Sequence, residues 1–513
     1  MADDQTEIVD FLSTPAAYGL TAGPVERHST HGSIVFLAGG RAYKLKRAVR
    51  YDYMDYSTPE KRRAMCEAEL AVNRRTAPEL YLEVRPLIRE GGTLRIGAAG
   101  EQEGAIDWLV AMRRFDQQSL LEEMRKRGAL DLPLMRTLAE RIAAFHASAE
   151  VTKGFGGAAG IAEVIAECGR MFVSMMGAPF DPAKIERWLS LANSEQARLR
   201  GLLEARRDSG CVRRCHGDLH LNNICLVEGR PVLFDAIEFR DDFSCIDVLY
   251  DLAFLLMDLD SRDLRALANA VFNRYLERSG DYSGLGAMPL FLSCRAAVRA
   301  HVAVSAAKFG AADREERHRE AVRLLDRAIG YLAPRQGRIV AIAGLSGTGK
   351  STLAASIAPL LGCAPGAIVV RTDVIRKSLW GADDLTRLPQ EAYAREFTAK
   401  VYAALIQRVE TVARGGYVAI ADAVFGQPFE REAVEAAARR AGVPFKGLWL
   451  AAPVDVLERR IASRRHDASD ATVEVLRTQL RHIREPENWI RIDASSPDAQ
   501  AHVLRASTLS VSA

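Results

Sequence analysis

The stretch Gly344-Leu345-Ser346-Gly347-Thr348-Gly349-Lys350-Ser351 fits G-x-x-x-x-G-K-[ST] at every fixed position. Such a match arises by chance about once in fifty chains of this length, and its surroundings narrow it further. An apolar run ends at Ala343 and helical spacing begins near Lys350, so a strand feeds a glycine-rich loop that opens a helix. A loop of this kind turns backbone N–H groups inward around phosphate oxygens at a helix N-terminus. Lys350 then reaches the β- and γ-phosphates and Ser351 ligates magnesium. Gly344, Ser346, Gly347, Thr348, Gly349 and Thr352 complete the expected nucleotide cradle.

Short apolar runs at Ile339–Ala343, Ile368–Val370, Tyr417–Ala421, Leu448–Ala451 and Trp489–Ile492 alternate with helical segments. That alternation predicts an α/β unit whose parallel sheet is covered by helices on both faces. Asp373 falls at the mouth of the second strand, where a carboxylate can take a hydroxyl proton or cap the following helix. Arg376 shares its face and suits an anionic group. Asp422, ending the third strand, suits a magnesium carboxylate or a strand-end turn. Arg459, Arg460, Arg464 and Arg465 fall within seven residues. Arg460 and Arg464 are the cofactor candidates there, as a lid over phosphates, the alternative being a solvated helix face.

A second pattern lies upstream. His216-Gly217-Asp218-Leu219-His220-Leu221-Asn222-Asn223 has the form H-x-D-x-x-x-x-N. Asp218 at this spacing would accept the proton of a substrate hydroxyl, and Asn223 on the same loop would coordinate magnesium. Asp235, after the strand-like Val232 to Phe234, supplies the second metal oxygen. Such a site also needs a strand lysine paired with a helix glutamate. Ser33–Leu37 and Ala42–Lys46 flank Gly39-Gly40, a hairpin signal that places Lys44 and Lys46 on one face. Glu69 or Glu67, in a helix from about Pro59 to Arg75, is the partner. His220 reads as a hydrogen-bonded structural histidine. Arg295 and Arg299, one turn apart on a helix, suit either an anionic substrate or a surface stripe.

These residues, with Asp247 to Ala253, resemble the aminoglycoside phosphotransferase-like family over about residues 25–310. The resemblance implies a bilobal α+β protein-kinase-like fold and gives Asp251 a structural role fixing the catalytic loop. No G-x-G-x-x-G is present; Thr30-His31-Gly32-Ser33 is the one turn available for that purpose. From Arg338 to Ile492 the chain resembles small P-loop kinases related to gluconate and shikimate kinases and zeta toxins. The order of the two parts resembles bacterial fusions of a phosphotransferase-like domain with an ATP-binding domain. The expected organisation is therefore a kinase-like domain over 1–332, with a small lobe at about 25–115 and a helical lobe at 116–332. A P-loop domain follows over 338–513, beyond the break at Ala333–Gly337.

The function expected is ATP- and magnesium-dependent transfer of a γ-phosphoryl group to hydroxyls of small, sugar-like metabolites at both sites. The alternative is one active kinase with the other part a regulatory nucleotide-binding or toxin-like module. Composition bounds the rest. With 69 Lys and Arg against 66 acids, a net +3, there is no field that singles out nucleic acid. No apolar run approaches the roughly 18–20 residues that span a bilayer, and the acidic N-terminus lacks a signal-peptide pattern. A cytoplasmic chain with eight reduced cysteines is expected, and Cys211 and Cys215 lack the partners of a zinc site. The last dozen residues, mostly small or polar, read as a disordered tail.

Overall fold

The protein is described here from a computed structural model covering residues 5–51, 54–175, 179–307, 314–463 and 468–508. It divides into two compact units, Met1–Asp258 with Leu290–Gly330, and Leu259–Pro289 with Tyr331–Ala513.

In the first unit, six antiparallel strands form one sheet in the spatial order Glu26–Ser29, Ser33–Ala38, Arg41–Lys46, Ala105–Arg113, Tyr81–Glu90, Thr93–Ile96. The predicted hairpin pairs Val35 with Lys44 and Ser33 with Lys46, so the pleat turns both lysines to the same side. The helix Pro59–Asn73 starts where expected, Thr58 Oγ1 accepting from Lys61 N. The turn at Thr30 to Gly32 simply closes the first hairpin, Thr30 N donating to Ser33 O at 2.8 Å. A helix before this region, Thr6–Leu12, buries Ile8 and Leu12 against Phe36, Leu45 and Leu109. It therefore extends the small lobe beyond the start near residue 25 read from sequence.

The remainder of this unit is helical around two short two-stranded antiparallel pairs. One pairs Ile224–Val227 with Arg230–Leu233, directly after the catalytic-type loop. The helices Val248–Ser261 and Met288–Ala307 are almost wholly buried. The window Ser283–Ser305 has the length and composition to cross a membrane, but 78% of it is buried inside the protein. It is apolar because it is a core helix.

The second unit carries five parallel strands in the order Ile368–Arg371, Val418–Asp422, Arg338–Gly344, Phe445–Ala451, Ile490–Asp493. Val340, Ile342, Ile420 and Leu448 pack against Ala354, Ile357 and Val503 on one face. The intervening Ile339, Ala341 and Ala343 are also buried, which is why these strands read as unbroken apolar runs. The helix Ala499–Thr508 belongs to this core through Val503 and Ala506, so much of the expected tail is structured.

The segment 259–289 precedes the break at 333–337, yet it belongs to this second unit. Two asparagines of the helix Arg265–Ser279 explain it. Asn269 and Asn273 Nδ2 donate to Ala367 O at 3.0 and 3.1 Å, and Asn273 Oδ1 accepts from Val369 N at 2.7 Å. They satisfy the open edge of the first strand, whose backbone groups would otherwise lack partners.

Candidate functional site

The first candidate site is built on a loop clamped from below. Asp251, fully buried in the Val248–Ser261 helix, accepts from His216 N at 3.1 Å and Gly217 N at 2.8 Å. His146 Nε2 donates to the same carboxylate at 3.0 Å. Burial opposes that charge, but the two histidines and Arg295 outweigh it and hold the carboxyl at about 2. Gly217 has φ +84, and a Cβ there would sit 2.8 Å from Phe243 O, so only glycine allows the turn. His146, Cys215 and Asp251 offer ligand atoms within 4.8 Å of one another. Burial pushes the Cys215 thiol far up, however, and Asp251 already accepts three donors, so this group is a structural network.

That clamp presents Asp218. Asn223 Nδ2 donates to Asp218 O and Oδ2, both at 2.9 Å, which leaves Asn223 Oδ1 directed away from this pair. His220, 6% exposed, contributes an interaction sequence reasoning passed over. Its Nδ1 accepts from Asn222 N at 3.3 Å, which assigns the proton to Nε2, and Nε2 lies 3.2 Å from Asp218 Oδ2. Both side-chain bonds therefore go to Oδ2, and Oδ1 remains for an acceptor. Burial pushes the Asp218 carboxyl up, but His220, then Arg299, bring it well below the ordinary range.

Asp235 follows the Arg230–Leu233 strand in a left-handed backbone conformation, φ +61, uncommon for a residue with a Cβ. Its Oδ1 accepts from Lys44 Nζ at 2.7 Å, and Lys44 Nζ also reaches Glu69 Oε1 at 2.7 Å. Lys46 bonds Glu69 Oε2 at 2.7 Å and Glu238 Oε1 at 2.5 Å. Burial would raise Glu69; the two ammonium groups reverse this and hold it at about 2. Both lysines thus meet Glu69, while only Lys44 reaches Asp235. Glu67 is exposed and pairs with Arg63 on the helix surface. Glu238 binds Lys46 and Tyr56, whereas Asp241 and Asp242 pair with Arg214 and Arg240.

In the second unit, the strand Arg338–Gly344 runs through the glycine loop into the helix Lys350–Ile357, as the motif requires. At Gly347, φ is +86 and a Cβ would meet Leu457 O at 2.7 Å. Lys350 Nζ donates to Gly344 O at 2.9 Å and Leu345 O at 3.1 Å. Ser351 Oγ donates to Asp422 Oδ2 at 2.6 Å. Thr348 is buried with Oγ1 on Leu345 O, and Thr352 is exposed on the helix's first turn. Ser346 N donates to Gln479 Oε1 at 2.9 Å, a partner that no motif announced. Arg460 lies along the loop, Nη1 on Thr348 O at 3.3 Å and Nη2 on Ala494 O at 3.0 Å. Arg464 and Arg465 lie outside the described residues, and Arg459 pairs with Asp455.

Asp373 is half-buried in the first turn of Thr372–Trp380, where Arg371, and not Asp373, holds the N-cap position. Burial pushes its carboxyl up, opposed by Arg371 and Lys350 and reinforced by Asp422, so it faces the loop's own charges. Arg376 is spent otherwise. It is buried, donating to Ala392 O at 2.6 Å and Thr398 Oγ1 at 3.1 Å, and pins the chain that opens the next helix.

The chain combines two regions that match known families. Residues 134–288 match the phosphotransferase enzyme family, and residues 339–486 match an AAA domain. Together they define an enzyme of the ATP-dependent phosphotransferase class, with a bilobal kinase-like first part and an α/β P-loop second part. The chain is 29% identical over 493 residues to an uncharacterized protein of Mycobacterium tuberculosis, covering 94% of this chain and 95% of that one. A Mycobacterium bovis protein, also uncharacterized, matches with the same figures of 29%, 94% and 95%. Among solved structures, a choline/ethanolamine kinase family protein from Mesorhizobium loti is 14% identical, with a TM-score of 0.38, over 63% of this chain and 97% of that one. A gluconokinase from Sinorhizobium meliloti is 21% identical, with a TM-score of 0.25, over 34% and 91%.

Proposed function

We propose that the protein transfers the γ-phosphoryl group of ATP to hydroxyl groups of small, sugar-like metabolites, with a separate nucleotide site in each unit. The observation that carries this reading is a convergence. Residues 44, 69, 218, 223 and 235, scattered over almost two hundred positions, come together as Lys44 bridges Glu69 to Asp235, Phe234 N beside Asp235 donates to Asn223 O at 3.0 Å, and Asn223 holds Asp218. Surface ion pairs do not assemble this way, since a buried network costs desolvation that only close geometry offsets.

In the first site the acceptor hydroxyl gives its proton to Asp218 Oδ1 as its oxygen bonds to the γ-phosphorus. The bond from phosphorus to the β–γ bridging oxygen breaks and ADP leaves. Lys44, held by Glu69, binds phosphate oxygens, and His220 keeps the Asp218 carboxylate turned toward the acceptor. In the second site the loop from Gly344 to Ser351 donates its backbone N–H groups to phosphates, Lys350 swings from the loop carbonyls to the γ-phosphate, and Asp373 receives the acceptor's proton. Arg460 stands ready beside the loop, and Gly344, Ser346, Gly347, Thr348, Gly349 and Thr352 line the phosphate path. Asn223 and Asp235 in the first site, and Ser351 and Asp422 in the second, are hard oxygen donors that would hold magnesium, which would supply charge neutralisation for the phosphates. ATP as donor fits a cytoplasmic enzyme.

The test is ATP-dependent phosphorylation of a sugar, amino-alcohol and aminoglycoside panel by the full chain, with products read by mass. Asp218→Ala and Lys350→Ala are run beside it. Each should remove a different product. Full retention of every product in Asp218→Ala would defeat the assignment of the first site.

A further inference from the structure

Two arginines on the Met288–Ala307 helix, one turn apart, have parted company. Arg295 is buried: its Nε donates to Tyr250 O at 3.1 Å, and its guanidinium lies over Tyr250 at 3.9 Å and Phe254 at 4.7 Å. It also lies 4.0 Å from Asp251, so it is part of the clamp under the loop. Arg299 is half-buried and, among the described residues, makes no hydrogen bond or ion pair.

Its direction follows from its neighbours. Phe291 meets Tyr250, and Arg295 meets Tyr250 and then Phe254, so the Met288–Ala307 and Val248–Ser261 helices progress together. The next turn carries Arg299 past Phe254, whose ring packs on His220 at 5.3 Å. His220 in turn bonds Asp218. Arg299 lies within electrostatic reach of Asp218, and a half-buried guanidinium with no protein partner among the described residues offers its donor fork to an anion.

We propose that Arg299, on the His220 side of Asp218, forms a subsite for an anionic group, a carboxylate or a phosphate, carried by the acceptor. This rests on Asp218 being the group that receives the acceptor's proton. The acceptor of the first site is then a hydroxylated acid or a sugar phosphate, and neutral polyols and cationic amines are discriminated against. Arg299 binds the anion two or more bonds away from the reacting hydroxyl and takes no part in phosphorus–oxygen bond making.

The experiment uses the full chain carrying Lys350→Ala, which silences the second site. Matched probes are glucose, gluconate and glucose 6-phosphate, with glycerol and glycerol 3-phosphate as a smaller set. Binding is read by saturation-transfer NMR and turnover by product mass. The wild-type residue should favour an anionic member over its neutral counterpart at least tenfold in apparent affinity. Arg299→Gln should remove that preference, raise KM for the anion more than tenfold with little change in kcat, and leave KM for ATP unmoved. Arg299→Lys should restore part of it. The gluconate and phosphate arms tell which anion is preferred. Absence of anion binding to the wild type, an equal loss for neutral probes, or a shifted ATP KM would each overturn the proposal. Asp218→Ala separates the two claims: it should abolish transfer and leave anion binding, and if transfer survives, the base assignment fails while the binding result still stands.

Discussion

The two candidate phosphate sites would solve the same electrostatic problem with different material. In the second unit nearly all the groups proposed to hold phosphate lie in one contiguous loop, whose lysine bonds the loop's own carbonyls. In the first unit the groups come from four separate segments and depend on ion pairs and a side-chain hydrogen bond for alignment. Backbone dipoles are fixed by φ and ψ and need no salt bridge to aim them. Long side chains need one. The first site is therefore the more sensitive to loss of a single charge, and the second to loss of a single glycine.

The strongest way to break this comparison is to combine substitutions. Asp218→Ala should lower first-site turnover by about 10²–10⁴-fold, the usual worth of a positioned acid–base group, and leave second-site product intact. Lys350→Ala should do the converse. The double variant should show the two losses independently, as expected for sites that share no partners. If either single change removes both products, the sites act in sequence and one part serves the other.

Next in size is the lysine pair. Lys46 is 1% exposed and bonds Glu69 and Glu238, so Lys46→Met leaves buried Glu238 without its cation and Glu69 with Lys44 alone. Breaking a buried pair in this way typically costs about 3–5 kcal/mol, and denaturant unfolding should register it. Lys44→Met still leaves Lys46 on Glu69. Its main effect should be a raised KM for ATP and a reduced kcat, because only Lys44 reaches Asp235. Equal kinetic and stability losses for the two variants would erase the distinction.

A stability loss of similar size is expected beneath the catalytic-type loop. Asp251→Ala leaves His216 N and Gly217 N buried without acceptors. Each such group costs about 1–3 kcal/mol, which lowers Tm and slows first-site turnover while the second unit keeps its nucleotide affinity. Nucleotide binding followed alongside thermal unfolding would check this.

Legibility followed the same division. The P-loop, its flanking strands and helix, and the five parallel runs could be read because their signals are local: period, glycine spacing and strand ends. Loop spacing singled out Asp218, Asn223 and Asp235 as candidates, and the hairpin placed Lys44 and Lys46 on one face, as the sheet does. Choosing between those lysines was beyond sequence, since the answer is which ammonium reaches a carboxylate 191 positions away. His220 was visible in the motif, but its bond to Asp218 depends on a ring orientation fixed by Asn222 and Phe254. Gln479 and the Asn269–Asn273 pair were hidden for the same reason. Amides that cap distant backbone groups leave no period behind. Arg376 misled because its helical face was right and its partners, Ala392 and Thr398, came from a later turn.

The finest separation between the sites should appear in their pH dependence. A general base works only when deprotonated, so its folded-state pKa sets the acid limb of kcat/KM. Burial pushes Asp373 up, while His220 and Arg299 overcome burial to bring Asp218 down. Raising a carboxyl's pKa moves that limb to higher pH, and lowering it moves the limb to lower pH. From about pH 6 down to 4, just above the ordinary aspartate value of about 3.9, second-site turnover should fall several-fold while first-site turnover holds. A carboxyl raised by burial also destabilises the fold when it ionises, losing stability as pH climbs from the unfolded value through the folded one. Asp373→Asn should therefore remove second-site turnover without lowering Tm at neutral pH. Coincident acid limbs for the two products, measured with acceptor-resolved rates on one preparation, would show that the two carboxyls share an environment after all.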